Sequence, residues 1–276
     1  MMMKRRKGRS CLTNILTFLD KVTSYIDSEL DVDVILLNFS QAFDKVPHQR
    51  LLSKSKSHGI SGRVLDWIEN CLSGRVQRVQ VKGVKSFWES VTSGVPQGSG
   101  LGPVLFLIYI NDLDEDILRL ILKFADDTKI FSTIQSEVDA ANLQRDIDKL
   151  LEWSEIWQMN FKVTKCKVMH IGKQYSEHQY SMNGHTLETV TEEKDLGILL
   201  TKYRKVAQQC SKACARANRM AGLIKMNIEN KDKKIMLRLY ALSSSSTLEL
   251  YRYHFFNFDT ISIRYLQNIA ISILNK

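Results

Sequence analysis

An α+β fold is expected of this 276-residue chain, on three observations. Val32, Val34, Ile35, Leu36 and Leu37 form a dense, branched apolar run that reads as a buried strand. Two shorter runs, Leu118–Lys123 and Thr128–Phe131, bracket Phe124-Ala125-Asp126-Asp127 and read as a β-hairpin with the aspartates at its tip. Helical stripes flank these on either side. Apolar residues at 12, 15, 16, 19, 22 and 26 mark a helix over Leu12–Ile26, and Leu143, Ile147, Leu150, Ser154 and Trp157 mark another over Val138–Trp157.

The other elements follow in order. Asn38-Phe39-Ser40-Gln41-Ala42-Phe43-Asp44 leaves the first strand, and Pro47 closes the unit. Val64–Leu72 predicts a short helix with Trp67 and Ile68 on its apolar side, ended by Gly74. Val76–Trp88 alternates around Lys82-Gly83, the pattern of a hairpin with basic side chains. Gly94-Val95-Pro96-Gln97-Gly98-Ser99-Gly100 is a strong loop signal, and Leu101–Leu113 predicts an apolar helix. Phe161–Ile171 and Leu196–Leu200 read as strands around a polar segment, 173–194. From Tyr203 onward, Val206, Cys210, Ala213, Ala217, Met220 and Ile224 form one helical stripe. Lys205, Lys212, Arg216 and Arg219 form a second, placed to meet a phosphate backbone. Residues 247–276 show no clear period.

Charge is unevenly placed. The net charge is +9; residues 201–240 carry eleven Lys/Arg against Glu229 and Asp232, and Lys4–Arg9 is basic too. Clustered cations suit nucleic acid or, more blandly, a solvated face. The cysteines (11, 71, 166, 210 and 214) include no CxxC pair, which disfavours a disulfide scaffold or a zinc ribbon. A Cys166–His170–Cys210–Cys214 metal site ranks below buried thiols. No run approaches the ~18 apolar residues of a membrane span. Cys11–Ile26 is interrupted by Asp20 and Lys21, unlike a signal peptide. A cytoplasmic or nuclear location is expected, with no membrane partner.

Four ordered segments then carry a resemblance: Asn38–Asp44; Ser93-Gly-Val-Pro-Gln-Gly98 with Leu101-Gly-Pro103; Phe124–Asp127; and Asp195-Leu196-Gly197. Arg6–Cys11, Tyr109–Leu113, Asn160 and Lys165 add lesser matches. The chain resembles the reverse transcriptase module of non-long-terminal-repeat (LINE-type) retrotransposons, the jockey-like and chicken-repeat branches above all. The resemblance implies a right-hand polymerase fold: a palm on a small antiparallel sheet, partial fingers over 1–30, palm with inserted fingers over 31–200, and a basic helical thumb over 201–242. Residues 243–276 depart from the family. It also implies a copy truncated at its N-terminus.

The same resemblance assigns roles. RNA template, DNA primer and deoxynucleoside triphosphates are the implied partners, and two Mg²⁺ ions the implied cofactor, because in-line attack on an α-phosphate needs both oxygens stabilised. Asp126 and Asp127 would bind metal. Asn38 stands where the family has the third catalytic aspartate. Phe43 corresponds to the gate against a ribose 2′-hydroxyl, Gln97 to a nucleotide-pocket residue, and Lys165 to a triphosphate-facing charge or general acid. Arg6 and Arg9 correspond to fingers residues near the triphosphate. Asp195, Leu196 and Gly197 correspond to the primer grip, and Lys205, Lys212, Arg216 and Arg219 to a thumb face on the template–primer.

Asn38 qualifies all of this. An amide oxygen brings no charge to a cation, so an impaired polymerase is expected. Asp33 lies an odd offset away, on the other side of the strand, and Asp44 lies beyond the bend; neither replaces the lost carboxylate. The alternative reading is a remnant that binds RNA or RNA–DNA hybrid without synthesis. An RNA-dependent RNA polymerase is disfavoured by Phe43.

Overall fold

The computed structural model describes residues 11–172 and 177–202, together with 211, 215, 218, 219, 222 and 226. Helix α1 (Cys11–Asp27) leads into strand β1 (Asp31–Asn38), then α2 (His48–Ser57) and α3 (Arg63–Leu72). Four two-residue strands follow: β2 (Val76–Gln77), β3 (Gln80–Val81), β4 (Val84–Lys85) and β5 (Glu89–Ser90). Helix α4 (Leu101–Tyr109) precedes the hairpin of β6 (Leu120–Phe124) and β7 (Asp127–Ile134), and α5 (Glu137–Ile156) follows it. Beyond these come β8 (Lys167–Ile171), β9 (Ser181–Met182), β10 (His185–Thr186), β11 (Glu188–Thr189), β12 (Glu192–Asp195) and β13 (Ile198–Thr201). The chain divides into two compact units, 1–203 and 204–276, and all of these elements belong to the first.

The mixed α+β architecture centres on a five-stranded sheet of order β11-β8-β1-β7-β6, in which only the β11–β8 pairing is parallel. Strand β1 is central because its apolar run can be buried on both faces. Val32 and Val34 face α1, in a cluster with Phe18, Val22, Phe131, Met169 and Ile171. Phe18 meets Phe131 edge-on at 5.1 Å. Ile35 and Leu37 point the other way, into the larger core formed with Leu51, Ile68, Phe106, Leu143, Ile147 and Leu150. Each such fully buried side chain contributes about 1.5–3 kcal/mol. Helix α5 is fixed at its start by a reciprocal cap. Ser136 Oγ accepts from Asp139 N–H at 3.4 Å, and the Asp139 carboxylate accepts from Ser136 Oγ at 2.9 Å and from Gln135 N–H at 3.1 Å. These bonds hold the Asp139 carboxyl below its usual range.

Several expectations shift. Trp67 is 54% exposed while its neighbour Ile68 is 3% exposed, since one residue turns a helix by about 100° and the buried stripe runs through Ile68 and Leu72. Residues 161–166 are not strand: Phe161 makes one bridge to Phe39, and Val163–Lys165 is a 3₁₀ turn. Leu196-Gly197 is a turn rather than strand, with φ of 47° and 88° joining β12 to β13. Helix α4 stops at Tyr109, four residues before its expected end. Asp33 is 1% exposed and accepts hydrogen bonds from His170 Nδ1 (2.7 Å) and the Tyr180 hydroxyl (2.6 Å). Burial and the Asp33 charge push the Tyr180 phenol well above its ordinary value.

Candidate active site

The site is built where β1 ends and β7 begins. The register places Asn38 directly opposite Asp127, and Phe124 opposite Asp127 on the other side. The hairpin tip is therefore Ala125-Asp126, and Asp127 is the first residue of β7; the expectation of both aspartates at the tip is corrected. Ala125 takes φ of 52°, the positive value that primed two-residue turns demand at their first position. Asn38 turns its backbone groups the other way: its carbonyl accepts from Lys162 N–H at 2.7 Å, and its N–H reaches Cys166 Sγ at 3.5 Å. Asn38 and Asp127 are thus a non-hydrogen-bonded antiparallel pair, whose side chains approach most closely, with Cα atoms about 4.5 Å apart.

Strand alternation puts Asp127, Lys129 and Phe131 on the α1 face. Lys129 Nζ forms a buried ion pair with Asp195 Oδ2 and sits 5.1 Å from the Phe18 ring centroid. Asp195 is the last residue before the Leu196-Gly197 turn, so this pair fastens the β12–β13 hairpin beside the aspartates. Burial, then the charges of Asp126 and Asp195, raise the Asp127 carboxyl above its ordinary value, with Lys129 opposing. Cys11, at the start of α1, lies on the same side. Its Sγ is 3.8 Å from the Leu196 carbonyl, and burial followed by Asp195 pushes its thiol up.

Two loops meet after β1. Val95 N–H donates to the Phe43 carbonyl at 2.7 Å, Gly94 N–H to Val46 at 2.8 Å, and Ser93 Oγ to the Asp44 carbonyl at 2.8 Å. Gly94 must be glycine: φ is 92°, and a Cβ would lie 2.7 Å from the Asp44 carbonyl oxygen. Gln97 Nε2 donates to Asp44 Oδ1 at 2.7 Å, and Phe43 stacks on Phe106 at 4.5 Å. Lys165 is exposed, on the 3₁₀ turn rather than a strand edge, and its turn is joined to the Asn38 backbone through Lys162.

Asn38, Asp126 and Asp127 are thus brought together, with Asp195 joined through Lys129. Phe43 and Gln97 share the loop pair after β1. Arg219 is helical and exposed. Arg6, Arg9, Lys205, Lys212 and Arg216 lie outside the described residues, as do Cys210 and Cys214. Among the described residues no group of three or more His, Cys, Asp or Glu is arranged to hold a metal ion. The donors that could serve are the carboxylates of Asp126 and Asp127 and the Asn38 amide oxygen. Hard anionic oxygens suit a divalent cation, and the Asn38 amide oxygen brings no charge to one. Lys129 and Cys11 were not singled out from sequence. For Lys129 the signal was available, two residues past Asp127 and so on its face. For Cys11 there was none, because its place depends on how α1 packs.

Residues 2–198 match the family model "Reverse transcriptase (RNA-dependent DNA polymerase)". The chain is 32% identical over 178 residues to the RNA-directed DNA polymerase from mobile element jockey of Drosophila melanogaster, covering 60% of this chain and 19% of that protein. It is 28% identical over 166 residues to the probable RNA-directed DNA polymerase from transposon X-element of the same species, covering 58% and 18%. The chain thus spans about a fifth of the length of these relatives. Among solved structures it is similar to telomerase from Candida Tropicalis in complex with the TWJ fragment of telomeric RNA. That match has a TM-score of 0.48 at 10% identity and covers 90% of this chain and 43% of the other. Telomerase from Candida albicans with the same kind of fragment gives a TM-score of 0.44 at 13% identity, covering 96% and 48%. With the motif residues gathered at one end of the sheet and a family model matching most of its length, the chain belongs to the reverse transcriptase family.

Proposed function

We propose that this chain is the polymerase part of a retrotransposon RNA-directed DNA polymerase whose chemical step is weakened at Asn38. The observation that carries the reading is the cross-strand pairing of Asn38 with Asp127 on the central strand. The five-stranded sheet serves as palm, residues 1–30 as part of the fingers, and 201–242 as thumb. Asp126 and Asp127 would hold Mg²⁺, which when bound supplies charge to the triphosphate and the attacking hydroxyl. Asn38 holds the third position without charge, and no nearby carboxylate replaces it. Asp33 is committed to His170 and Tyr180 on the opposite face, Asp44 to Gln97, and Asp195 to Lys129. Phe43, held by Phe106, would limit room at the ribose, and Lys165, exposed on its turn, would meet the triphosphate.

RNA template, DNA primer and deoxynucleotides are the partners on this reading. The Lys129–Asp195 pair keeps the β12–β13 hairpin set against the primer end. Loss of a metal-binding carboxylate costs several kcal/mol of transition-state stabilisation, so turnover should fall by orders of magnitude while binding persists. A second reading, binding of RNA or RNA–DNA hybrid without synthesis, is favoured by the same residue.

Primer extension on an RNA template with Mg²⁺ or Mn²⁺, comparing the chain with its Asn38→Asp variant, tests the proposal. The variant should extend at least about 100-fold faster. Equal, robust extension by both overturns the assignment of Asn38. Tight hybrid binding by both, with no extension by either, favours the second reading.

A further inference from the structure

Residues 76–90 form a ribbon in which all fifteen residues are exposed. We propose that this ribbon is a binding surface for single-stranded nucleic acid, through base stacking on Phe87 and Trp88 and phosphate contacts from Arg75, Arg78, Lys82 and Lys85. None of these residues belongs to the set around Asn38 and Asp127, so the proposal stands apart from the polymerase reading.

The geometry is specific. Strands β3 and β4 pair Gln80 with Lys85 and Val81 with Val84 across the Lys82-Gly83 turn, and Ser86 N–H donates to the Val79 carbonyl at 2.9 Å. The outer pair, β2 and β5, joins Val76 to Ser90 and Gln77 to Glu89. Going from Val79–Ser86 to Gln77–Glu89 takes two steps on one strand and three on the other. One extra residue is therefore accommodated at Phe87-Trp88, opposite Arg78. This is a β-bulge, the device that re-aims side chains locally. It leaves the Arg78 guanidinium 4.3 Å from the Trp88 ring centroid and Phe87 91% exposed; Trp88 itself is 59% exposed.

Such a surface is costly to leave bare. Phe87, Trp88 and the valines at 79, 81 and 84 leave large apolar side chains exposed on the ribbon, of the kind that mark an interaction site. Charge selects the occupant. No Asp or Glu occurs from Asn70 to Trp88, against Arg75, Arg78, Lys82 and Lys85. That balance repels a second copy of the same ribbon and suits a phosphate chain. By alternation Arg78 and Lys85 share the face opposite Val79, Val81 and Val84. The Trp88 ring stays with the cations, since Arg78 covers it. A membrane-binding ribbon would put its Trp with the valines. Aromatic rings interleaved with cations are what unpaired bases on a backbone require, and stacking on them is tolerant of sequence.

The test is fluorescence anisotropy of the full chain with labelled 20-nucleotide oligouridylate and oligothymidylate, with an RNA–DNA hybrid duplex measured alongside. Phe87→Ala/Trp88→Ala should weaken binding of both single strands about 5- to 150-fold per base stack lost. Arg78→Gln/Lys85→Gln should lower the slope of log affinity against log salt by about 0.7 for each charge removed. Both variants change exposed residues only, so an unchanged Tm confirms that they fold, and their hybrid binding should match the parent. The parent failing to bind either single strand overturns the proposal, as do variants that bind as the parent does. It is also overturned if the variants keep the single strands but lose binding to vesicles of equimolar phosphatidylserine and phosphatidylcholine, or lose a concentration-dependent dimer. An absent hybrid signal beside an intact single-strand signal counts against the polymerase reading and for the ribbon.

Discussion

Asp127 illustrates how a half-buried cluster of carboxylates taxes its own fold. Its carboxyl is raised by burial and by Asp126 and Asp195, so at neutral pH the ionised form is held against its preference. For an acid whose folded value lies above its unfolded one, the folded state binds more protons between the two. Stability is then lost as pH rises through that window. Asp127→Asn should therefore raise Tm by about 2–4 °C at pH 7, with the gap closing below the ordinary carboxylate range; calorimetry against pH checks this. Lys54 is the opposite case. It is 3% exposed, donates to the Tyr109 carbonyl (2.6 Å) and Asp112 (2.5 Å), and sits 3.7 Å from the Trp157 ring centroid. Burial dominates the Asp112 hydrogen bond and charge, and lowers Lys54 from 10.5 to about 8. The unfolded chain binds the extra proton between those values. The contribution of Lys54 to stability should therefore grow from pH 8 to pH 10.5, read as the difference from Lys54→Met in urea titrations at each pH.

Among the elements, the β12–β13 hairpin shows what a single buried ion pair can fasten. Lys129→Ala leaves Asp195 buried without its partner and should destabilise by about 3 kcal/mol, with amide exchange over 192–201 quickening before the rest of the sheet. Lys129→Met with Asp195→Leu should recover most of that loss in denaturant titrations. Gly94→Ala should cost about 1–3 kcal/mol and loosen the Gln97 loop, because the strain falls on backbone rather than on a movable side chain. The same elements show what sequence could and could not reveal. Strand β1, the hairpin and α5 were legible, since their periodicity is local and their cores follow from it. Asn38 opposite Asp127 was legible only through the order of motifs, because register between residues 89 positions apart is set by packing. The exposed Trp67 was misjudged, as hydrophobicity alone does not say which side of a short helix finds a partner. The 3₁₀ turn bearing Lys165 was hidden because Phe161, Val163 and Cys166 look strand-like, while Phe161, Lys162 and Cys166 bond back to the end of β1 and the residue after it.

At the scale of the whole chain, basic charge is partitioned from the acidic site. The eleven Lys/Arg of 201–240 lie apart from Asp126, Asp127 and Asp195 in sequence, and the cations of 75–85 sit on their own ribbon. Binding of an RNA–DNA hybrid should fall steeply with salt, by at least about 100-fold between 50 and 200 mM, whether or not synthesis survives. A flat response by filter binding would remove the electrostatic grip from this account. The central position of β1 has a last consequence. The strand that carries residue 38 is hydrogen-bonded on both sides and buried on both faces, so any pressure to keep the chain folding also keeps that position in place. Aspartate and asparagine are nearly the same shape, and their codons differ by one base. Asn38→Asp would thus put a carboxylate opposite Asp127 without disturbing the scaffold that holds both.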